Sequence, residues 1–271
     1  MWHARSMNRL AIFALTLAGA LAAQENQLTL AEKSAEWKLL FNGKDMTGWD
    51  DPRQKSPAGD AWTLEDGCLK AHAHPRITED LFTQDTFGDF ELVFEWRISR
   101  GGNSGVKYRI QDHMFLREGR SGRFEDLVNR SVEDRRTDRP AKGQDYVIGF
   151  EYQILDNARN SDARAGLSHT AGALYDMVPP ERDATRPVGE FNHSRIVLVG
   201  THVEQWLNNV KVVDADLAAQ EVKDHIAKRW TANSPVYNLL AGQPKHNCPI
   251  SLQNHGDEVW FRNIKIRAVP Q

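Results

Sequence analysis

The sequence of 271 residues predicts an all-β fold, a β-sandwich with one or two short helices. Short runs in which apolar and polar residues alternate recur along most of the chain. Turn dipeptides such as Asn42-Gly43 separate these runs. Only residues 216–229 show a clear helical stripe. The apolar residues of that stripe are Ala218, Val222 and Ile226.

The first elements of the predicted sandwich are strands joined by tight turns. Asn42-Gly43 ends the first strand, and Glu65-Asp66-Gly67 joins two short strands into a hairpin. The strands predicted in this half of the chain are 37–41, 61–64, 68–71, 81–83, 90–98, 106–111 and 149–156.

The second half of the chain continues the pattern. Asn208-Asn209 joins two further strands into a hairpin. The strands predicted here are 172–177, 194–199, 202–207, 210–213, 250–253 and 259–266. Many short strands with so little helix between them favour a sandwich over a parallel α/β sheet.

Residues 1–23 have the pattern of a signal peptide. His3, Arg5 and Arg9 precede an apolar run that is too short and too rich in alanine to span a membrane, and the run ends in small residues. We therefore expect a protein exported to the periplasm or secreted. Residues 24–36 form a polar leader, and we expect residues 37–271 to form a single domain.

Composition excludes several classes of partner. Lys and Arg (34) nearly balance Asp and Glu (37), so nothing suggests binding to nucleic acid or to an anionic membrane. No C-x-x-C or H-E-x-x-H pattern is present, and we expect neither a metal nor another cofactor. His72 and His74 are better explained as surface histidines than as half of a metal site.

The two cysteines, Cys68 and Cys248, leave two interpretations open. Export permits a disulfide between them. Two buried free thiols are the simpler interpretation, and we favour it.

One stretch carries most of the functional information. In the strand 149–156, Phe150, Tyr152 and Ile154 alternate with Glu151 and Gln153. Two other predicted strands show the same separation of apolar and polar residues. We expect these strands to place one polar set on a concave sheet face suited to a polyhydroxylated ligand. The set is Glu95, Arg97, Lys107, Arg109, Gln111, Glu151 and Gln153. The alternative is a solvated outer face with ordinary cross-strand charge pairs.

Residues 117–142 interrupt the strands with a charged excursion, in which fourteen of 26 residues are charged. Phe124, Leu127 and Val128 have helical spacing, so we expect one short helix inside it. Long segments of this kind often cover a functional site. We expect this one to border the polar face without contributing to the core.

Several segments together resemble the 3-keto-disaccharide hydrolase domain family, whose members have a concanavalin A-like jelly roll. The segments that carry the resemblance are 40–49, 102–106, 151–156, 189–192, 251–256 and 261–264. They occur in the family's order and span nearly the whole predicted domain. Two features depart from the family's pattern: Phe191 stands where a Trp is usual, and the excursion at 117–142 is unusually long.

The resemblance implies an enzyme that cleaves the glycosidic bond of small saccharides oxidised at C3. A ketone at C3 acidifies the proton on C2. A base removes that proton, the enolate expels the C1 substituent, and water then adds to the product. Such a reaction needs a base, a group that stabilises the enolate, and an acid for the leaving oxygen.

The polar residues supply these groups, and their roles are our own inference. Glu151 is the candidate base or acid, and Arg109 or Lys107 the candidate enolate stabiliser. His255 and Glu95 are further acid or base candidates. The candidate substrate-binding residues are Asn103, Lys107, Gln153, Tyr175 and Gln253.

Two other classes of function remain open. A non-catalytic module that binds glycans would use aromatic platforms, but several of the Trp residues have core spacing. An ordinary retaining glycosidase needs two close carboxylates. Gln153 occupies the second acid position on the strand, so Glu95 would have to serve as the partner of Glu151. The keto-sugar enzyme is the interpretation that we favour.

We expect the mature protein to begin near residue 23 or 24, because the small residues that end the apolar run suit signal peptidase. N-terminal sequencing of protein recovered from the periplasm or the medium checks this. An intact apolar run on membrane-bound protein would contradict it.

Overall fold

The computed structural model describes residues 25–50, 59–134 and 139–270, in which two β-sheets form a concanavalin A-like jelly roll. The all-β prediction is therefore confirmed. The proposed signal peptide lies outside the described residues. None of the helices in the described ranges is long and apolar enough to cross a membrane.

The first sheet has eight strands, in the order β12-β11-β10-β7-β14-β4-β3, with β1 paired to β14. Their bounds are β1 Lys38–Leu39, β3 Trp62–Glu65, β4 Cys68–Ala71, β7 Phe90–Ile98, β10 Asn192–Val199, β11 His202–Leu207, β12 Val210–Asp216 and β14 Val259–Ala268. The second sheet has six strands, in the order β2-β6-β13-β8-β9-β5. Their bounds are β2 Trp49–Asp50, β5 Ile77–Thr78, β6 Leu81–Thr83, β8 Asn103–Arg117, β9 Gly143–Leu155 and β13 Ser251–Leu252.

The core lies between the sheets and is rich in aromatic rings. Phe94 of β7 meets Tyr152 of β9 edge to face, with ring centroids 5.5 Å apart. The indole N–H of Trp96 and the hydroxyl of Tyr152 each lie 2.8 Å from the hydroxyl of Ser194. The polar atoms that these aromatic residues carry into the core are thus hydrogen-bonded.

A bulge interrupts the long pairing of β8 with β9. Tyr108 pairs with Phe150 and Asp112 with Ile148, so residues 109–111 lie opposite Gly149 alone. A Cβ on Gly149 would lie only 3.0 Å from the carbonyl oxygen of Tyr108, so glycine suits this crowded position. The bulge ends the simple alternation of faces along β8.

The helices are more numerous than the sequence predicted. Their bounds are α1 Leu30–Ser34, α2 Phe124–Asp134, α3 Gln220–Trp230 and α4 Pro235–Tyr237. The two predicted helices, within 117–142 and 216–229, are present as α2 and α3. The unpredicted α1 lies in the polar leader, where Thr29 and Glu32 form a capping box.

Helix α2 contributes to the core, so our expectation that residues 117–142 would only border the site is wrong. Val128 and Val132 are buried one turn apart and belong to the main core cluster. Asn129 accepts a hydrogen bond from the backbone N–H of Val236 at 3.0 Å and donates one to the carbonyl of Trp230 at 3.2 Å. These contacts join α2 to α3 and α4. Because the segment is so rich in charged residues, its sequence did not indicate that this short apolar stripe is buried.

The leader is docked against the last strand. The backbone N–H of Asn26 donates to the side chain of Asn263, and the N–H of Asn263 donates to the side chain of Asn26 at 2.9 Å. Asn26 is buried, and Glu32 of α1 bonds Lys265 of β14 at 2.6 Å. The two asparagines therefore hold the start of the described chain to its end.

Two smaller predictions have clear outcomes. Cys68 and Cys248 are both buried and free, which confirms the interpretation that we favoured. Residues 172–177 make only isolated bridges in place of the predicted strand. The described residues hold no group of three or more His, Cys, Asp or Glu side chains placed to bind a metal ion.

Candidate active site

The outer face of the six-stranded sheet, turned away from the core, supplies the floor of the candidate site. Lys107 of β8 pairs with Glu151 of β9, and Gly105 pairs with Gln153. A Cβ on Gly105 would lie 2.3 Å from Oε1 of Glu151. Gly105 therefore leaves the space into which the Glu151 carboxylate folds.

A polar cavity of about 220 Å³ opens above this floor. Most of the residues that the sequence proposed for the site line it together. They are Asn103, Glu151, Gln153, Tyr175, Gln253 and His255. Five further lining residues were not predicted: Arg120, Phe124, Gln144, Tyr146 and Arg229. The cavity thus combines one carboxylate with several hydrogen-bond donors and amide groups.

Glu151 is the one carboxylate among the described residues that line this cavity. Its side chain is 13% exposed, and burial raises the pKa of its carboxyl above the ordinary value, although the nearby Lys107 ammonium opposes part of this rise. A carboxyl group whose pKa is raised by burial beside a cavity is a candidate for proton transfer.

Lys107 lies behind Glu151 and does not line the cavity. Its ammonium is 3.9 Å from Oε2 of Glu151 and 3.6 Å from Oδ2 of the buried Asp80. Burial raises the pKa of Asp80 to about 7. Lys107 is therefore a buried counter-charge shared by two carboxyl groups, with no direct access to a ligand.

The two glutamines keep acceptor oxygens without a partner. Oε1 of Gln153 and Oε1 of Gln253 are buried and have no hydrogen bond to the described protein. The amide nitrogen of Gln153 donates to the carbonyl of His169 at 3.3 Å and to Asn103 at 3.4 Å. Buried acceptors nearly always find a donor, so these two side chains at the wall of the cavity each retain an acceptor for a further hydrogen bond.

The loop between β9 and β10 positions Tyr175 in the wall of the cavity. His169 lies between Asp162 and Asp176, with N···O distances of 3.0 and 3.2 Å. The Tyr175 hydroxyl donates to Asp162 at 3.1 Å, and the Arg229 guanidinium lies 3.7 Å from Asp176. This cluster therefore orients Tyr175 and Arg229, both of which line the cavity. Apart from the density of polar residues in the loop, no sequence pattern indicated this cluster.

Glu95 and Arg97 do not belong to the site, and their prediction is wrong. Both lie on β7, a strand of the eight-stranded sheet, on the opposite side of the sandwich. Glu95 forms an ion pair with Arg262 at 2.8 Å, and the Arg97 guanidinium stacks 4.4 Å from the ring centre of Trp260. Alternation along a strand identifies its outward face, but it does not identify the sheet to which the strand belongs.

Arg109 is also outside the site, because the bulge turns it away from Glu151. It has φ of +51° and its side chain is only 5% exposed. Its guanidinium donates to the carbonyls of Gly88, Gly200 and His246 and to the carboxylate of Asp89. Arg109 joins three loops of the sandwich. Gln111, in the same bulge, bonds Lys245 instead of facing the cavity.

The described residues thus form a jelly roll with a polar cavity on the outer face of its six-stranded sheet. The family profile described as the 3-keto-alpha-glucoside-1,2-lyase-like domain matches residues 36–267, and the chain belongs to this family.

Known relatives agree with this assignment. A 3-keto-disaccharide hydrolase of Bacteroides thetaiotaomicron is 29% identical over 262 residues, which is 92% of this chain and 83% of the relative. A crystal structure from Parabacteroides distasonis, provisionally named a glycosyl hydrolase, is 25% identical with a TM-score of 0.68 and covers 91% of this chain and all of its own. A second structure from that organism, with the same provisional name, is 25% identical with a TM-score of 0.57. It covers 86% of this chain and 99% of its own.

Replacing Arg109 by Met should affect folding rather than turnover. The substitution removes the hydrogen bonds of the guanidinium to three carbonyls and to the carboxylate of Asp89, at a cost of about 3 kcal/mol, which corresponds to a fall in melting temperature on the order of 10 °C. Thermal unfolding measures this, with the exposed Arg100→Met as control. A normal melting temperature with lost turnover would instead place Arg109 in the chemistry.

The His169 cluster should make stability depend on pH. Hydrogen bonds to Asp162 and Asp176 raise the pKa of His169 to about 9, above its ordinary value near 6.5. The stabilisation is therefore complete below about pH 6.5 and is lost as pH rises through about 9. The difference in melting temperature between wild type and His169→Gln should shrink over that range, with His74→Gln as control. A difference independent of pH would contradict this.

Proposed function

We propose that this protein is a carbohydrate-active enzyme that cleaves the glycosidic bond of 3-keto-glycosides by elimination and hydration. Its family and the named activity of its Bacteroides relative support a carbohydrate hydrolase. The observation that carries the proposal is Glu151, a buried carboxyl group with a raised pKa that faces a cavity lined otherwise by donors and amides.

Glu151 is the base in this proposal. Its carboxylate takes the proton from C2 of the sugar, which the neighbouring C3 ketone has acidified. The C2–H electron pair moves into the enolate, and the C1–O bond then breaks with its electrons on the leaving oxygen. Burial raises the pKa of Glu151, which strengthens it as a base relative to an exposed carboxylate, while the Lys107 ammonium favours the ionised form that accepts the proton.

His255 is suited to protonate the leaving oxygen. It lies on the turn after β13 and lines the cavity. Imidazole gives and takes a proton readily near neutral pH. Addition of water across C1 and C2 then returns the keto sugar, with hydroxide joining C1 and a proton joining C2, so the net reaction is hydrolysis.

Arg229 takes the role that the sequence suggested for Arg109. Its guanidinium lines the cavity and lies 5.5 Å from the ring centre of Tyr175. A fixed cation near the C3 oxygen stabilises the negative charge of the enolate. Asn103, Gln153 and Gln253 are then placed to bind the remaining hydroxyl groups.

The two alternatives are less well supported. A retaining glycosidase needs two carboxyl groups about 5–5.5 Å apart, but Glu151 alone lines the cavity within the described ranges. The nearby Asp162 is engaged by His169 and Tyr175. A pure binding module gives no reason to bury a carboxyl group beside the ligand at the cost of raising its pKa.

Glu151→Gln tests the proposal, because the substitution keeps the shape of the side chain and removes its basicity. We expect wild type to release the aglycone from a 3-keto-glucoside and not from the unoxidised parent. We expect the variant to lose roughly 10²-fold or more in kcat, with little change in melting temperature.

Solvent deuterium exchange at C2 of the keto sugar isolates the first step. Wild type should catalyse the exchange, and Glu151→Gln should not. Exchange that persists in the variant would remove Glu151 as the base. Equal cleavage of the unoxidised parent by wild type would contradict the keto-sugar reaction itself.

A further inference from the structure

A cluster of buried charges adjoins Glu151. Besides Glu151 it contains Lys107 of β8 and Asp80, which lies between β5 and β6, and neither of these two lines the cavity. The Lys107 ammonium is 3.6 Å from Oδ2 of Asp80 and 3.9 Å from Oε2 of Glu151. We propose that Asp80 is a positioning residue for the reaction, which competes with Glu151 for the one ammonium of Lys107 and so keeps Glu151 a strong base. The proposal rests on the function proposed above.

Asp80 is the nearer of the two carboxyl partners of Lys107. The same oxygen, Oδ2, also accepts a hydrogen bond from the hydroxyl of Ser251 at 3.0 Å, and Ser251 pairs with Lys107 across β13 and β8. Burial raises the pKa of Asp80 to about 7, and both Lys107 and Ser251 oppose this rise. The lysine and the serine therefore both favour the ionised form of Asp80.

Lys107 remains an ammonium in spite of its burial. Burial lowers the pKa of its amine, but the charges of Asp80 and Glu151 outweigh this effect and raise the pKa above its ordinary value. A single positive charge thus serves two carboxyl groups. Because both carboxyl groups interact with the same ammonium, they lose their protons in coupled steps.

This competition determines how basic Glu151 is. If Lys107 had Glu151 as its one partner, it would lower the pKa of that carboxyl and make it a weaker base. An ionised Asp80 offsets this effect because it neutralises the same ammonium. A weaker base takes a proton from carbon more slowly. Asp80 therefore favours the more basic form of Glu151 without any contact with the substrate.

Stability does not account for the second carboxyl group. Lys107 and Glu151 alone would form a neutral buried pair, and a further buried carboxylate costs free energy unless it is paired. Among the described residues, Lys107 is the one basic side chain within ion-pair distance of Asp80. Asp80 thus adds a charge that the pairing of Lys107 with Glu151 does not require.

Other titratable groups face this cluster from neighbouring strands, helices and loops. They are His255, Arg229, Asp162, Asp145, His113 and Tyr146. None of them is altered in the Asp80 and Ser251 variants proposed below. A difference between wild type and these variants therefore reports the competition for Lys107.

The pH profile of kcat/KM tests the proposal. Methyl 3-keto-glucoside is a suitable substrate, because it carries no group that titrates near neutral pH. In Asp80→Asn, Lys107 serves Glu151 alone, so the acid limb of the profile should move to lower pH by about one unit. The plateau of the profile should fall severalfold, because the base is weaker.

Asp89→Asn is the matched control. Asp89 is another buried aspartate with a cationic partner, but that partner is Arg109, which lies outside the site. This variant should have a lower melting temperature and an unchanged acid limb.

Ser251→Ala is a milder second variant, available even where Asp80→Asn fails to fold. It removes the hydrogen bond to Asp80, which makes Asp80 harder to ionise. The acid limb should therefore move in the same direction as in Asp80→Asn, by a smaller amount. A lower melting temperature with an unmoved acid limb in both variants would give Asp80 a structural role only and overturn the proposal.

Carbon NMR of protein labelled at the glutamate carboxyl carbon tests the competition without any substrate. The signal that is absent from Glu151→Gln identifies Glu151. Its titration midpoint should lie at lower pH in Asp80→Asn than in wild type, and an equal or higher midpoint overturns the proposal. Failure of the proposed function would look different: wild type would cleave no keto substrate, while the titration of Glu151 would still show or exclude the competition for Lys107.

Discussion

The antiparallel pairing of β8 with β9 is the constraint on which both the core and the site depend. One face of this pair gives the core Tyr108, Phe150 and Tyr152, and the other places Glu151 beside Lys107. Because side chains alternate along a strand, a slip by a single residue would exchange the two sets. The aromatic contacts with the opposite sheet therefore fix the position of the acid as well as the packing of the sandwich.

Local alternation predicted much of the sheet structure and part of the site. The strand predicted at 90–98 is β7, and the hairpin at Asn208-Asn209 is present, with both residues at positive φ. Glu151 and Gln153 were placed on the correct face for the same reason. Arg109 was misplaced, because its position depends on a bulge set by the crowded contact with Gly149, and Glu95 was misplaced because strand order is not a local property.

The rest of the site could not be predicted from spacing, since it is assembled from distant segments without strand periodicity. Arg229 comes from a helix, and Tyr175 comes from a loop whose conformation depends on the ion pairs of His169. Helix α2 contributes Phe124, whose ring packs on Tyr146 with centroids 4.9 Å apart. These side chains meet only because the helices and loops pack on the same end of the β8–β9 pair.

Gly105 has no side chain, yet it determines where the carboxylate of Glu151 can lie. A Cβ at position 105 would lie only 2.3 Å from the Glu151 carboxylate. A side chain at position 105 and the carboxylate in its present position therefore exclude each other. The position of the Glu151 side chain on β9 therefore requires a glycine at position 105 on β8. In a related chain, a larger residue at the position of Gly105 would mean that the carboxylate occupies a different place, even where the glutamate itself is retained.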